Sequence, residues 1–379
     1  MIWILLVAFA CSAVAMFLVV YYEEHHAHWS ADHDLSGPQK MHVKAVPRVG
    51  GVGILAGICG GAAVAACLHV ELRWELLLLV VCTLPAFGSG IWEDFTKAIS
   101  PRRRMVALAL SGLLGVLLLD GKFTHIGWAF FDDLLAAHGL LWLGSVGAIF
   151  AVTGISNSVN LIDGMNGLAS MCTVMMALGL AWISWHVGDG LVCGIALATV
   201  GATLGFFLWN YPRGLVFLGD GGAYLLGFLV AELGILLTAR HPQVSMLAPL
   251  LLVAYPVVET LFTMYRRRFI QKRSMTQPDG SHLHTLIYRR LKRGPVDATG
   301  SRGSTRGNSG TSPYLWLLNA VVVVPAMVWW NSTPALALAL FVFVAAYLDV
   351  YWRIVRFKSP GWMAWRRESP VATEHLNKS

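Results

Sequence analysis

Apolar stretches long enough to cross a lipid bilayer recur along the whole chain, and this feature constrains its fold more than any other. The hydrocarbon core of a bilayer is about 30 Å thick, so a helix needs roughly 20 apolar residues to cross it. Only 13% of the residues are charged, compared with about a quarter in a typical soluble domain. We therefore predict an all-α, polytopic helical membrane protein with about eleven transmembrane helices. The spans cover residues 2–21, 50–69, 75–92, 105–120, 139–156, 167–186, 189–208, 222–239, 245–264, 314–330 and 333–351.

The basic residues indicate how these spans are oriented. With the amino terminus outside, all but Arg73, Lys122 and Arg240 of the 28 Lys and Arg residues fall on the inner side. Basic residues are retained in the cytoplasm, so we predict an outer amino terminus and an inner carboxyl terminus. We expect one transmembrane domain over residues 1–352 and a cytoplasmic tail over 353–379. The inner loops are then 22–49, 93–104, 157–166, 209–221 and 265–313.

The net charge of +7 is therefore concentrated on one face. It can reflect topology alone, or the basic loops can also gather anionic lipids and nucleotide phosphates. Nucleic acid is excluded as a partner, because the chain has no soluble basic domain and no recognition motif.

The first two inner loops each carry a polar motif. Loop 22–49 ends in HVKAVPRVGGVGI, where Lys44 precedes glycines that let a backbone approach a phosphate. Such glycines also serve close helix packing in membranes. The stretch GIWEDFTKAISPRRRM places Glu93 beside Asp94 where a span meets the cytoplasm. These acids suit a magnesium site or a metal ligand beside a general base, unless they are an interfacial pair neutralised by the following basic residues.

The next two inner loops carry amides and single acids. In GISNSVNLIDGMNGLA, the residues Asn160, Asp163 and Asn166 can bind a base or ribose or orient a metal, or simply form a polar turn. In FLWNYPRGLVFLGDGGAYLLGF, Asp220 lies among glycines that give a phosphate or hydrated cation room, although an acid there can also be a helix N-cap. Phe217 can stack on a base or be an ordinary interfacial aromatic.

The last inner loop contains SMTQPDGSHLHTLIYRRLKR. His282 and His284 are separated by one residue, and magnesium prefers oxygen ligands, so we favour hydrogen bonding to a diphosphate over zinc binding. Residues 294–312 are low in complexity, and we expect a flexible segment there. Glu259 precedes the basic residues 266–268, and we expect an ion pair between them.

These four clusters and the histidine loop resemble the polyprenyl-phosphate N-acetylhexosamine-1-phosphate transferase family, of the glycosyltransferase family 4 type. The resemblance runs from about residue 38 to about residue 291, in the order and at the spacing of the family. It implies transfer of a sugar-1-phosphate from a UDP-N-acetylhexosamine to the lipid polyprenyl phosphate, with release of UMP. It also implies a Mg²⁺ cofactor, for which Mn²⁺ can substitute, and an active site at the cytoplasmic face of a bacterial inner membrane.

The resemblance assigns a role to each matching position. It implies nucleotide-sugar binding by Lys44, Asn160, Asp163, Asn166 and Phe217, diphosphate binding by His282 and His284, catalysis by Glu93, Asp94 and Asp163, and magnesium binding by Asp220 and Asp94, with Asp279 in the matching Pro-Asp pair.

Three positions depart from the family pattern: Glu93 replaces the first aspartate of the pair, Asn166 stands where many members have aspartate, and Thr285 replaces a third histidine. The histidine loop also differs from that of the phospho-N-acetylmuramoyl-pentapeptide branch. We therefore favour the branch that begins O-antigen, as in lipopolysaccharide, or a related surface glycan.

Several alternatives stay open at this point. A direct displacement is simpler than a covalent two-step mechanism, but the sequence does not decide between them. A multi-pass transporter is the main rival class, yet it predicts polar residues near the bilayer midplane and repeated halves, whereas the polar clusters here gather at one face. A lipid-binding scaffold would not explain the acids. A homodimer is compatible with the sequence.

Overall fold

The computed structural model describes residues 1–23, 46–125, 133, 137–272, 280–291 and 300–356. Every regular element in this part of the chain is helical, which confirms the all-α prediction. The α-helices are α1 (Ile2–Tyr21), α2 (Gly50–Leu68), α3 (Arg73–Thr96), α4 (Pro101–Leu119), α5 (Trp142–Ile162), α6 (Leu168–Val187), α7 (Gly190–Asn210), α8 (Gly219–Arg240), α9 (Leu247–Leu252), α10 (Ala254–Tyr265), α11 (Leu283–Leu291), α12 (Gly300–Val328) and α13 (Thr333–Val355).

Nine helices of the described residues are long and apolar enough to cross a membrane. The two remaining predicted spans also fall on helices. The span 105–120 coincides with α4, in which three consecutive arginines follow Pro101. The span 245–264 is divided at Val253 between the short helices α9 and α10. The polytopic architecture is confirmed, whereas the count of eleven and the orientation stay predictions.

Helix α8 occupies the centre of the molecule. All of its residues from 221 to 238 are buried. It packs against α2, α3, α4, α5, α6, α7 and α9. Because this helix is surrounded by protein along its length, a polar residue at either of its ends is positioned by several neighbouring helices at once.

Side chains cap the amino-terminal ends of α7 and α4. Asp189 accepts a hydrogen bond from the backbone N–H of Val192 at the start of α7. Ser100 precedes Pro101 and its hydroxyl accepts from the N–H of Arg103 at the start of α4. Both arrangements satisfy backbone donors that a helix leaves unpaired in its first turn. They fix where these helices enter the bundle.

The expectation of a flexible segment over residues 294–312 is wrong for its second part, because α12 begins at Gly300. Its residues Asn308 and Ser312 pack on the loop after α5. The side chain of Asn308 accepts the backbone N–H of Asn166 at 2.8 Å, and the Ser312 hydroxyl donates to the Asn166 carbonyl at 2.6 Å. These tertiary contacts stabilise a helix that local composition does not favour. Residues 292–299 lie outside the described residues.

Candidate active site

The start of α8 is bound by a carboxylate from another helix. Asp94, near the end of α3, accepts the backbone N–H of Asp220 on Oδ1 and that of Gly221 on Oδ2, both at 2.9 Å. Its side chain is only 1% exposed. The N-terminus of a helix carries a partial positive charge and unpaired donors, so a carboxylate is stabilised there. Asp94 therefore joins α3 to α8 and fixes the position of Asp220.

Glycines allow this close approach. A Cβ atom on Gly90 would lie 2.4 Å from the backbone nitrogen of Gly221, and one on Gly51 would lie 2.4 Å from that of Gly222. Helix α2 is joined to the same region, because Gly51 donates its N–H to the Leu218 carbonyl at 3.1 Å. Helices α2 and α3 thus converge on the first turn of α8 at backbone-to-backbone distances.

Arg48 and Asp220 lie at this junction. The guanidinium of Arg48 is 3.6 Å from Asp94 Oδ1 through Nε and 3.8 Å from Asp220 Oδ1 through Nη2. The Asp220 side chain is 15% exposed and that of Arg48 is 31% exposed. Both therefore remain accessible to a ligand, whereas Asp94 does not.

Asp163 directly follows α5, and its carboxylate interacts electrostatically with Arg48 and Asp220. Burial raises the pKa of Asp163 to about 7, with the Arg48 guanidinium opposing and the Asp220 charge adding to the rise. Among the described residues, none donates a hydrogen bond to this carboxylate. Asp163, Asp220 and Arg48 thus form one charged cluster, made from the ends of two helices and the segment before a third.

An amide, a phenol and a guanidinium lie beside this cluster. Asn160 donates its side-chain amide to the hydroxyl of Tyr224 at 2.5 Å. The guanidinium carbon of Arg104 lies 5.9 Å from the centre of the Tyr224 ring. Tyr224 is one turn beyond Asp220 on α8, so these contacts bring α4 and α5 to the same end of the central helix.

The histidine loop reaches the Asp163 turn. The rings of His282 and His284 stack with centroids 5.4 Å apart and planes inclined by 10°. A Cβ on Gly164 would lie 2.3 Å from His284 Nε2, so this histidine packs directly on the residue after Asp163. The structure thereby brings together the predicted residues Asp94, Asn160, Asp163, Asp220 and His284, with His282 behind His284.

Three other predicted residues have different surroundings. The Glu93 carboxylate accepts the backbone N–H of Ile99 at 2.9 Å and so closes the turn after α3. It points away from the neighbouring Asp94 because adjacent residues of a helix project about 100° apart. Asn166 is buried and its side-chain amide donates to Ser309 Oγ at 3.3 Å. Phe217 is half-buried, and its backbone N–H donates to the Pro47 carbonyl at 2.9 Å. Lys44 and Asp279 lie outside the described residues.

The structure also shows contributors that the sequence did not single out. Arg48 lies four residues after the predicted Lys44, and Arg104 belongs to the arginine run read there as neutralising charge. The carboxylate of Glu259 contacts His282 and Tyr347, rather than forming the ion pair expected with residues 266–268. Arg48 and Arg104 could have been identified because each lies next to a polar motif, but only the tertiary fold reveals the partners of Glu259.

The donor set can be compared with the preferences of metal ions. Among the described residues, no group of three or more His, Cys, Asp or Glu side chains is placed to hold a metal. Magnesium uses one or two carboxylates and completes its shell with water and substrate phosphates. Asp163 and Asp220 supply only oxygen ligands, which suit magnesium or manganese better than zinc. The residues therefore fit magnesium bound together with a diphosphate.

Comparison with known proteins agrees with an enzyme built in this way. Residues 76–238 match the model of glycosyl transferase family 4. A probable undecaprenyl-phosphate N-acetylglucosaminyl 1-phosphate transferase from Bacillus subtilis (strain 168) is 27% identical over 252 residues, covering 66% of this chain and 68% of the relative. A phospho-N-acetylmuramoyl-pentapeptide-transferase from Pelagibacter ubique (strain HTCC1062) is 29% identical over 230 residues, covering 53% and 62% respectively.

The fold and the site define a membrane-embedded enzyme whose candidate site residues gather at one end of a helical bundle. Over residues 76–238 the chain is similar to the glycosyl transferase family 4, and its likeness to the relatives is distant. The matched region contains Asp94, Asp163 and Asp220, so the family likeness and the charged cluster coincide. This likeness favours a transferase over the transporter and scaffold alternatives.

Proposed function

We propose that this chain transfers an N-acetylhexosamine-1-phosphate from a UDP-sugar to polyprenyl phosphate and releases UMP. One relative is named for transfer of N-acetylglucosaminyl 1-phosphate to undecaprenyl phosphate, and the other for transfer of phospho-N-acetylmuramoyl-pentapeptide. The observation that carries the proposal is the junction at the start of α8, where Asp94 fixes the helix and leaves Asp220 accessible beside Asp163 and Arg48.

The reaction joins two anionic partners, so charge neutralisation is its main requirement. An oxygen of the lipid phosphate attacks the β-phosphorus of the UDP-sugar. The bond from that phosphorus to the bridging oxygen breaks, and UMP leaves with the electron pair. Magnesium, when bound, supplies positive charge to the diphosphate, and Asp220 would hold it together with substrate oxygens.

The residues of the chain have distinct roles in this scheme. Asp163 accepts the proton of the lipid phosphate, because its carboxylate lies in the cluster and receives no hydrogen bond from the described residues. Arg48 and Arg104 contact phosphate oxygens, and His284 adds a donor on the side of Gly164. Asp94 acts mainly by holding α8, since both of its oxygens already accept backbone N–H groups.

The setting of the reaction is part of the proposal. We place the site at the cytoplasmic face of a bacterial inner membrane, because the predicted inner loops carry most of the basic residues. The product would be the first lipid-linked intermediate of a surface glycan such as O-antigen. The departure at Thr285 and the different histidine loop support this branch over the phospho-N-acetylmuramoyl-pentapeptide branch.

The test is UMP release by the purified protein, with undecaprenyl phosphate as acceptor. UDP-GlcNAc, UDP-GalNAc and a 6-deoxy derivative are compared, each with magnesium, with manganese and with EDTA. We expect release from at least one of these sugars, only with a divalent cation and only with acceptor present. Release without acceptor or without metal, or none from any sugar, would contradict the proposal.

A further inference from the structure

Glu259 is a buried acid that the proposed chemistry does not use. It lies on α10 and its residue is 0% exposed. Its Oε1 atom lies 3.2 Å from His282 Nδ1 and accepts the backbone N–H of Leu283 at 3.2 Å. Its Oε2 atom accepts the hydroxyl of Tyr347 at 2.7 Å. A buried carboxylate is costly unless it is hydrogen-bonded, and these contacts supply the bonds.

Other residues hold the backbone of the histidine loop. Arg266 donates through Nη1 to the Ser281 carbonyl at 2.7 Å, and the Tyr351 hydroxyl donates to the same carbonyl at 3.1 Å. Arg290 donates through Nη2 to the Ile354 carbonyl. Because these bonds tie the loop to α13 without Glu259, the distinctive effect of Glu259 is on the ring of His282.

The carboxylate determines which imidazole nitrogen carries hydrogen. A carboxylate accepts hydrogen bonds and does not donate them, so His282 Nδ1 must be the N–H that faces it. The Thr263 hydroxyl, 3.3 Å from the same nitrogen, can accept from it as well. The Nε2 atom, on the far side of the ring, is then the nitrogen available to another group.

The position of the ring connects this effect to the site. His282 stacks on His284, and His284 packs on Gly164 beside Asp163. A continuous series of contacts therefore runs from α13, through Glu259 and the two imidazoles, to the turn that carries Asp163. Partners of this kind, which fix the tautomer of a functional histidine, are well known beside metal and catalytic sites.

We propose that Glu259, supported by Tyr347, is a positioning residue that holds His282 as its Nδ1–H tautomer, so that the unprotonated Nε2 is the acceptor for a hydroxyl group of the UDP-sugar. The substrate contact rests on the proposed function, whereas the tautomer does not. Glu259 does not itself touch the substrate in this scheme.

The tautomer is measured directly by solid-state NMR on histidine-labelled protein in lipid, with the His282 signals assigned from their absence in His282→Asn. We expect the Nδ1–H form in the wild type and in Glu259→Gln, whose amide oxygen still accepts a hydrogen bond. Glu259→Leu should shift His282 towards the Nε2–H form, and Tyr351→Phe should not. An Nε2–H form in the wild type, or an unchanged tautomer in Glu259→Leu, would overturn the proposal.

The rate of UMP release gives a second readout. Glu259→Leu should lower kcat/KM by about tenfold to a hundredfold, as loss of such a partner commonly does. Glu259→Gln should restore most of that loss. Equal losses in the two variants would show that the charge, rather than the acceptor, matters and would contradict positioning through the hydrogen bond. If the wild type releases no UMP from any sugar, the proposed function fails while the NMR result still decides the role of Glu259.

Discussion

The two ends of helix α8 both carry charged residues, but their contacts differ. At the carboxyl end, Arg240 pairs with Glu75 at 2.8 Å and lies 3.9 Å from Asp189. The adjacent His241 lies 3.0 Å from the other oxygen of Asp189. Cations are favoured at a helix carboxyl end, so the charges here are matched both to one another and to the helix.

At the amino end the charges are arranged around an accessible acid. Asp94 is enclosed and bonded to the helix, yet the nearest cation to Asp220 among the described ion pairs is Arg48 at 3.8 Å. The first end resembles a structural ion-pair network, and the second resembles a site prepared for a ligand. The number of charged residues is therefore a poor guide to function; what matters is whether their partners within the protein are complete.

The largest effect is expected from Asp220→Asn. Neutralising the accessible acid should lower the rate of UMP release by about a hundredfold to a thousandfold, as loss of one electrostatic contact to a transition state commonly does. The thermal midpoint should change little, because the ion pair that the described residues give this side chain, with the partly exposed Arg48, is long at 3.8 Å. Steady-state kinetics and thermal unfolding of the same preparation measure both. A rate near that of the wild type would show that Asp220 is not needed for the reaction.

Gly90→Ala should impair both folding and rate. Its Cβ would meet the backbone nitrogen of Gly221 at 2.4 Å, and backbone cannot move aside as a flexible side chain can. Overpacking of this kind typically costs about 1–3 kcal/mol. Gly88→Ala is the matched control on the same helix, because a Cβ there has no neighbour within 4 Å. Equal thermal midpoints for the two variants would contradict the close approach of α3 and α8.

Asp94→Asn should reduce stability by on the order of 1 kcal/mol, since the amide group can accept only one of the two N–H bonds and leaves a donor unpaired. The rate of UMP release should also fall, because the start of α8 is less firmly held. This combination differs from that of Asp220→Asn, in which the rate alone changes. If Asp94→Asn lost activity without any loss of stability, the direct metal-binding role predicted from the sequence would be supported instead.

The smallest effect is expected at the other end of α8. Glu75→Gln removes the pair with Arg240, whose side chains are 41% and 30% exposed. Exposed pairs contribute about 0–1 kcal/mol, so the thermal midpoint should fall slightly and the rate should not change. Chemical denaturation and UMP release test this. A large loss of activity would mean that the two ends of the helix are coupled.

Much of this architecture could be predicted from the sequence, because the length of apolar stretches and the position of acids at their ends are local features. Asp220 was recognised as either a ligand or a helix cap, and the structure shows that the cap is Asp94, 126 residues away in sequence. No local pattern indicates such a partner. The convergence of the clusters at one end was predicted from topology alone, since each lies on the predicted inner side of its span.

The errors arose where contacts are distant or where spacing was overlooked. Glu259 and Arg266 are seven residues apart, which is about 10 Å along a helix and too far for a short ion pair. The nucleotide-binding role of Asn166 stays a prediction, but its partners Asn308, Ser309 and Ser312 could not be foreseen, because they belong to a segment that composition describes as irregular. In both cases the observed partners lie more than twenty residues away in sequence.

The contrast between the two ends of α8 is tested most directly by binding of radiolabelled UMP to the purified protein without acceptor. We predict saturable binding that requires magnesium in the wild type and in Glu75→Gln. In Asp220→Asn it should be weaker by about tenfold or more, equivalent to at least about 1.4 kcal/mol. Equal affinity in Asp220→Asn and the wild type, or binding that does not depend on the metal, would contradict a nucleotide and cation site at the amino end of this helix.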